Sequence, residues 1–253
     1  MHAWGAANRV VFDASKEYFR ILGTRSVHGG TFRLLGIDFD PKLQMCDAIH
    51  SCVLDASWRL KSILRTTRFF SDAELILHFK AHVLSYIEYR TPALYHAAAT
   101  HLLPLDNVLS SFLRQTNVSD LDALCHFNLA PLSARRDMAM LGVIHRAVLR
   151  KGPSHFFHYF NLAPPTRFLR RRHSRHLIDL RQARSLCMYN NSVIGLIWVY
   201  NILPSSIVKL NTVRDFQSAL QDLLKSVATS GLYEWQVLFS PRRPIHAHPL
   251  LSL

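Results

Sequence analysis

The stretch that most constrains this chain is Phe32-Arg33-Leu34-Leu35-Gly36-Ile37-Asp38-Phe39-Asp40-Pro41. It reads as a strand that crosses one tight point at Gly36 and hands over, at Asp40-Pro41, to a long helix. Proline at the first helical position lacks only a donor that would be orphaned there anyway, and an aspartate before it accepts a bond from the first turn. Ahead of this junction the patterning is β, and beyond it almost everything is helical. Residues 9–12 and 18–22 read as short strands, and residues 23–30, with the Gly29-Gly30 pair, as the hairpin loop into a strand over 31–39. A unit of that size does not stand alone.

Beyond the junction, Ile49, Val53, Ala56, Leu60, Ile63 and Thr67 recur by threes and fours, which predicts a helix over 43–67 burying one face. Arg59, Lys61, Arg65 and Arg68 fall on its other face. Ser71-Asp72 is a helix start, followed by a stripe of Leu75, Phe79, His82 or Val83, Tyr86 and Tyr89 that ends near Thr91-Pro92; His82 is expected in the core. Pro104 is expected to open a helix through Leu113, and residues 120–127 to form a short one. Met138, Leu141, His145 and Val148 mark a helix closed by Gly152-Pro153. Its first turn carries Arg135-Arg136-Asp137, where the helix dipole disfavours cations unless an anion compensates. Residues 193–203 read as a buried element stopped by Pro204, and Asn211 as the cap of an amphipathic helix through Val227. Residues 241–253 are expected to fray. The fold class is therefore mainly α with a small N-terminal antiparallel β unit, an α+β arrangement with Pro164-Pro165 as the main boundary.

Charge is unevenly spread: residues 1–140 carry 15 basic against 13 acidic side chains, and residues 141–253 carry 15 against 4. A field of that kind attracts polyanions. The densest basic run is Arg170-Arg171-Arg172-His173-Ser174-Arg175-His176, near Phe156, Phe157, Tyr159, Phe160 and Phe168. Bases stack on aromatic and guanidinium planes, so the combination points toward nucleic acid. The longest apolar run, residues 193–200, falls far short of the roughly 20 residues that span a bilayer. No secretory signal is evident at the amino terminus, so the expected location is intracellular, nuclear or cytoplasmic, with no membrane partner. Cys46, Cys52, Cys125 and Cys187 lack paired spacing and read as reduced core residues.

A polymerase needs carboxylates converging on two metal ions. Nowhere do two aspartates stand side by side, and there is no Tyr-x-Asp-Asp turn. Asp38 and Asp40, two apart on a strand, read as strand-end solvation and helix capping. Walker, G-x-G-x-x-G, H-E-x-x-H and G-x-S-x-G motifs are all missing.

In wording and order the chain resembles the reverse transcriptases of LINE-type (non-LTR) retrotransposons. The Leu35-Gly36 box resembles their primer-grip strand, and Trp4-Gly5, Asn8 and residues 12–16 the palm segment before it. Residues 43–67 and Tyr86-Ile87-Glu88-Tyr89 with Thr91-Pro92 resemble the thumb. Leu129-Ala130-Pro131-Leu132 with Arg135-Arg136, and Tyr200-Asn201-Ile202-Leu203-Pro204, resemble phrases further downstream. The resemblance implies a palm-end β unit over 1–40, a thumb-like helical domain over 41–163 and a basic helical extension over 164–253. It places Lys16 near nucleotide phosphates, and places fingers, most of the palm and the catalytic aspartates upstream of Met1. The implied chain is non-catalytic by itself, gripping RNA or an RNA/DNA duplex, with the missing fingers and palm as a further implied partner. It needs no cofactor of its own, magnesium being expected only with that palm. Candidate nucleic-acid contacts are Lys16, Leu35, Gly36, Arg59, Lys61, Arg65, Arg135, Arg136, Arg170, Arg171 and Arg172. The alternative is a stand-alone basic helical RNA-binding or scaffold protein without polymerase function.

Overall fold

A computed structural model describes residues 2–11, 13, 20–22, 29–164, 172–180, 191–231 and 234–252. The fold is mainly α with one small antiparallel sheet, and it divides into two compact units, residues 1–45 and 46–253.

In the first unit, α1 (His2–Ala7) is a short helix where the resemblance placed palm residues. Arg9 takes a left-handed turn (φ 56°) and Val11 is 96% exposed, so residues 9–11 form no strand. Residues 14–19 and 23–28, which hold the first two residues of the second expected strand and most of its loop, lie outside the described residues. The stretch 31–39 is a hairpin and not one strand: β1 (Phe32–Leu34) pairs with β2 (Ile37–Phe39), Phe32 opposite Phe39. Leu35 (φ 50°) and Gly36 (φ 77°) form the two-residue turn, whose twin positive φ values suit the twist of a hairpin. The Phe32 and Phe39 rings stack at 5.5 Å across the ladder. Arg33 faces Asp38 at 4.0 Å.

The expected helix start at Pro41 is also displaced. The Asp40 carboxylate accepts from the backbone N–H groups of Lys42, Gln44 and Met45 at 3.0, 3.1 and 2.6 Å. Leu43 and Met45 turn left-handed. Asp40 thus organises a loop, and α2 begins only at Cys46.

The second unit opens with α2 (Cys46–Leu64), which buries Ala48, Ile49, Cys52, Ala56, Leu60 and Ile63. Ser71 and Glu74 close a reciprocal capping box on α3 (Asp72–Phe79). A π-helical segment (Lys80–Leu84) then joins α3 to α4 (Ser85–Leu94). Its wider turn rotates the buried face, so Val83, Leu84, Ile87, Thr91 and Leu94 go inside while Tyr89 and His82 are exposed. α5 (Ala99–Gln115) starts ahead of Pro104, which sits inside it. It packs on α2, and Phe79 stacks on Phe112 at 4.4 Å in the shared core. α6 (Asp120–Phe127) is capped by the Ser119 hydroxyl and stopped by left-handed Asn128.

α7 (Leu132–Val148) is the axis of the larger core. Around it lie a 3-10 turn (Val193–Leu196), α8 (Ile197–Ile202), α9 (Ser205–Val208) and α10 (Val213–Thr229). Phe216, Leu220 and Leu224 of α10 meet Met138, Leu141 and Ile144 in that core, each such side chain contributing roughly 1.5–3 kcal/mol on burial. α10 is capped by Thr212, whose hydroxyl accepts from Asp215 N–H at 3.0 Å. Asn211, the expected cap, instead accepts from Lys151 and Arg175.

Both sides of residue 164 contribute to one core, since Phe160 and Leu177 belong to the same buried cluster. The carboxy-terminal residues pack as well and do not fray: Leu250 is fully buried, and Arg242 donates to the Tyr95 and Ala97 carbonyls at 3.2 and 3.0 Å. Cys52 and Cys125 are free thiols. Among the described residues, no helix is long and apolar enough to cross a membrane.

Candidate nucleic-acid interface

Most of the described arginines of the second unit are committed to the chain itself. Arg136, only 7% exposed, makes a two-pronged ion pair with Asp106 at 2.7 and 2.9 Å. Arg135 pairs with Glu88 of α4. The anions that the Arg135-Arg136 cluster requires are therefore Glu88 and Asp106, supplied by neighbouring helices. Asp137, fully buried, accepts from the Tyr95 hydroxyl at 2.7 Å. Burial pushes its carboxyl up to about 7, against the Tyr95 hydrogen bond and the positive charge of Arg136 and Arg242.

The basic run behaves in the same way where it is described. Arg172 donates to the carbonyls of Ile202, Leu250 and Leu251 at 3.1, 2.6 and 2.7 Å. Arg175 donates to those of Val208 and Leu210 at 2.7 and 2.9 Å. His173 contacts the Tyr200 carbonyl at 3.0 Å. These bonds satisfy carbonyls that helix ends leave orphaned. Behind them, His145 lies between the Tyr200 hydroxyl and the Leu210 carbonyl, each at 3.0 Å, and stacks on Phe216 at 4.0 Å. Burial lowers its pKa to about 4. A neutral ring donating from Nε2 to Leu210 and accepting the Tyr200 hydroxyl at Nδ1 satisfies both contacts.

Helix α2 is different. Lys61 and Arg65, one turn apart and exposed, make no ion pair among the described residues. They border a groove of about 640 Å³ between α2 and α5, floored by Leu60, Leu64 and Val108 and edged by Asn107, Ser111 and Gln115. Arg59 lies on the other flank, its guanidinium 4.3 Å above the Tyr86 ring, with Arg90 3.7 Å from that ring. The Tyr86 hydroxyl donates to Asp55, and burial with that bond raises its pKa to about 12.

The structure thus brings Lys61 and Arg65 to one groove and Arg59 to its neighbour, while Arg135, Arg136 and Arg172 are turned inward onto protein partners. Leu35 and Gly36 form a hairpin tip in the first unit, Leu35 77% exposed. Lys16, Arg170 and Arg171 lie outside the described residues. Two features escaped the sequence reading. Trp58, 71% exposed on α2, is legible as a large aromatic off the buried stripe. Asn201 clasps the backbone of Leu177, and no local signal announces that contact. No family model, no curated protein and no solved structure matches this chain.

Proposed function

We propose that the chain is a non-catalytic portion of a LINE-type reverse transcriptase, the palm end and thumb with a basic extension, and that it grips a template-primer duplex through phosphates. The observation that supports this most is the exposed pair Lys61 and Arg65, which make no ion pair among the described residues and stand beside an open groove. Cations free to meet a polyanion form the footprint of backbone gripping, which positions a strand without reading its sequence.

The test is a titration of an RNA/DNA duplex against salt. Several phosphate contacts give a log-log slope of roughly −0.7 to −0.9 per contact. A flat response contradicts the reading. The same protein, given a primed template and magnesium, is expected to leave the primer unextended; extension overturns the non-catalytic assignment.

A further inference from the structure

Trp58 is the largest side chain exposed on α2, and it shares a stripe with Lys61 and Arg65, three and seven positions on. A cleft of about 400 Å³ opens beside it, lined by Trp58, Arg59, Ser62, Phe70, His78 and His82. Phe70 meets His78 edge-on at 4.9 Å, and His78 stacks with His82 at 6.1 Å. Four aromatic or imidazole rings therefore border one opening, and Arg59, Ser62, Ile63 and Thr66 complete its lining. The carboxylates nearby are partly occupied: Asp55 accepts from Tyr86, and Glu74 from Ser71. Asp72 lies in the first turn of α3.

We propose that this cleft seats an unstacked base of a single-stranded RNA or DNA whose phosphates run along Lys61 and Arg65. The inference rests on the nucleic-acid reading above and adds a strand type and a contact to it. A purely apolar occupant would leave the imidazoles and the flanking Lys61 and Arg65 without a match. A base offers a flat face for the indole and hydrogen-bonding edges for the His78 and His82 imidazoles. Bases within a duplex keep their faces stacked on one another, so an unpaired nucleotide is the form that fits. Trp58 and Arg65 stand about 10 Å apart along the helix at about 1.5 Å per residue, so a base at one leaves the adjoining backbone within reach of the other.

The test uses the full chain, with a short labelled single strand of RNA and the same strand annealed to its DNA complement. Trp58→Ala is expected to weaken single-strand binding roughly tenfold, the scale of losing one base-aromatic stack, while leaving duplex binding unchanged. Trp58→Phe is expected to keep most of the affinity. Because Trp58 is exposed, its truncation spares the core, and circular dichroism checks that the helices persist. In a Trp4→Phe background, which removes the other strongly exposed indole, single strand is expected to quench fluorescence and heparin, a polyanion without bases, is not. Equal single-strand affinity for wild type and Trp58→Ala, or equal quenching by heparin, overturns the proposal. Wild type that binds neither strand nor duplex overturns the gripping reading together with it. Salt-dependent binding that is indifferent to Trp58 overturns the base-stacking cleft alone.

Discussion

Asn201 clasps the backbone of Leu177 from both sides: the Leu177 N–H donates to Asn201 Oδ1 at 2.8 Å, and Asn201 Nδ2 donates to the Leu177 carbonyl at 2.9 Å. One buried amide thereby satisfies a residue far away in sequence, just after the basic run. Arg172, His173 and Arg175 anchor the same segment to α8, α9 and the carboxy-terminal residues.

Replacing Asn201 with alanine leaves a buried N–H and a buried C=O unpaired. The expected loss is about 2 kcal/mol, or roughly 4–8 °C in Tm for a chain of this size. Asn201→Asp keeps the acceptor but sets an oxygen against the Leu177 carbonyl, and is expected to be worse than alanine. Thermal unfolding of the two variants checks the order, and an alanine variant as stable as wild type removes the clasp from the account.

The Arg136–Asp106 pair is expected to behave as a buried ion pair. Arg136→Ala strands Asp106, which is only 28% exposed on its side chain, at a cost of about 3 kcal/mol. Arg136→Met with Asp106→Leu removes both charges and is expected to recover much of that loss. Urea unfolding of the single and double variants measures the coupling. Additive losses would show that the two residues do not act together.

Much of this architecture is legible in the residues, and the departures have local causes. The helix over α2 follows from Ile49, Ala56, Leu60 and Ile63, all buried. Its start does not, because the Asp40 carboxylate captures three backbone donors and holds a loop where Asp40-Pro41 otherwise reads as a helix start. The stripe from Leu75 holds as far as Val83 and then fails at Tyr86 and Tyr89, because the π-helical segment turns the helix face between them. Hydrophobic spacing alone carries no sign of that segment. The basic residues divide for a similar reason: Arg136 and Arg172 look like Lys61 and Arg65 in the sequence, and only tertiary partners distant along the chain separate anchors from free cations.

Stability should depend on pH through groups of opposing sign, the Asp137 carboxyl on one side and the buried imidazoles of His145, His173 and His248 on the other. Asp137 moves from 3.8 to about 7 in the folded chain. Between those values the folded state holds a proton that the unfolded state has released, so stability falls as pH rises through the window. His145 moves from 6.5 down to about 4; there the unfolded state holds the extra proton, and stability falls as pH falls. Asp137→Asn removes the first effect, so its stability is expected to rise more steeply than that of wild type from about pH 4 to pH 6.5. Denaturant midpoints across that range check the sign. Parallel curves for the two proteins would mean that the Asp137 carboxyl is not raised.

The most direct measurement of the central claim compares two double variants that each remove two positive charges. Lys61→Gln with Arg65→Gln acts at the α2 groove. Lys209→Gln with Arg214→Gln removes two exposed cations elsewhere in the second unit. Binding of an RNA/DNA duplex is followed as a function of salt. The α2 variant is expected to flatten the log-log slope by about 1.5, near the value of two phosphate contacts, while the control keeps the wild-type slope. Equal losses from both pairs would contradict the account, because they would mean that overall charge, and not the groove beside Lys61 and Arg65, holds the nucleic acid.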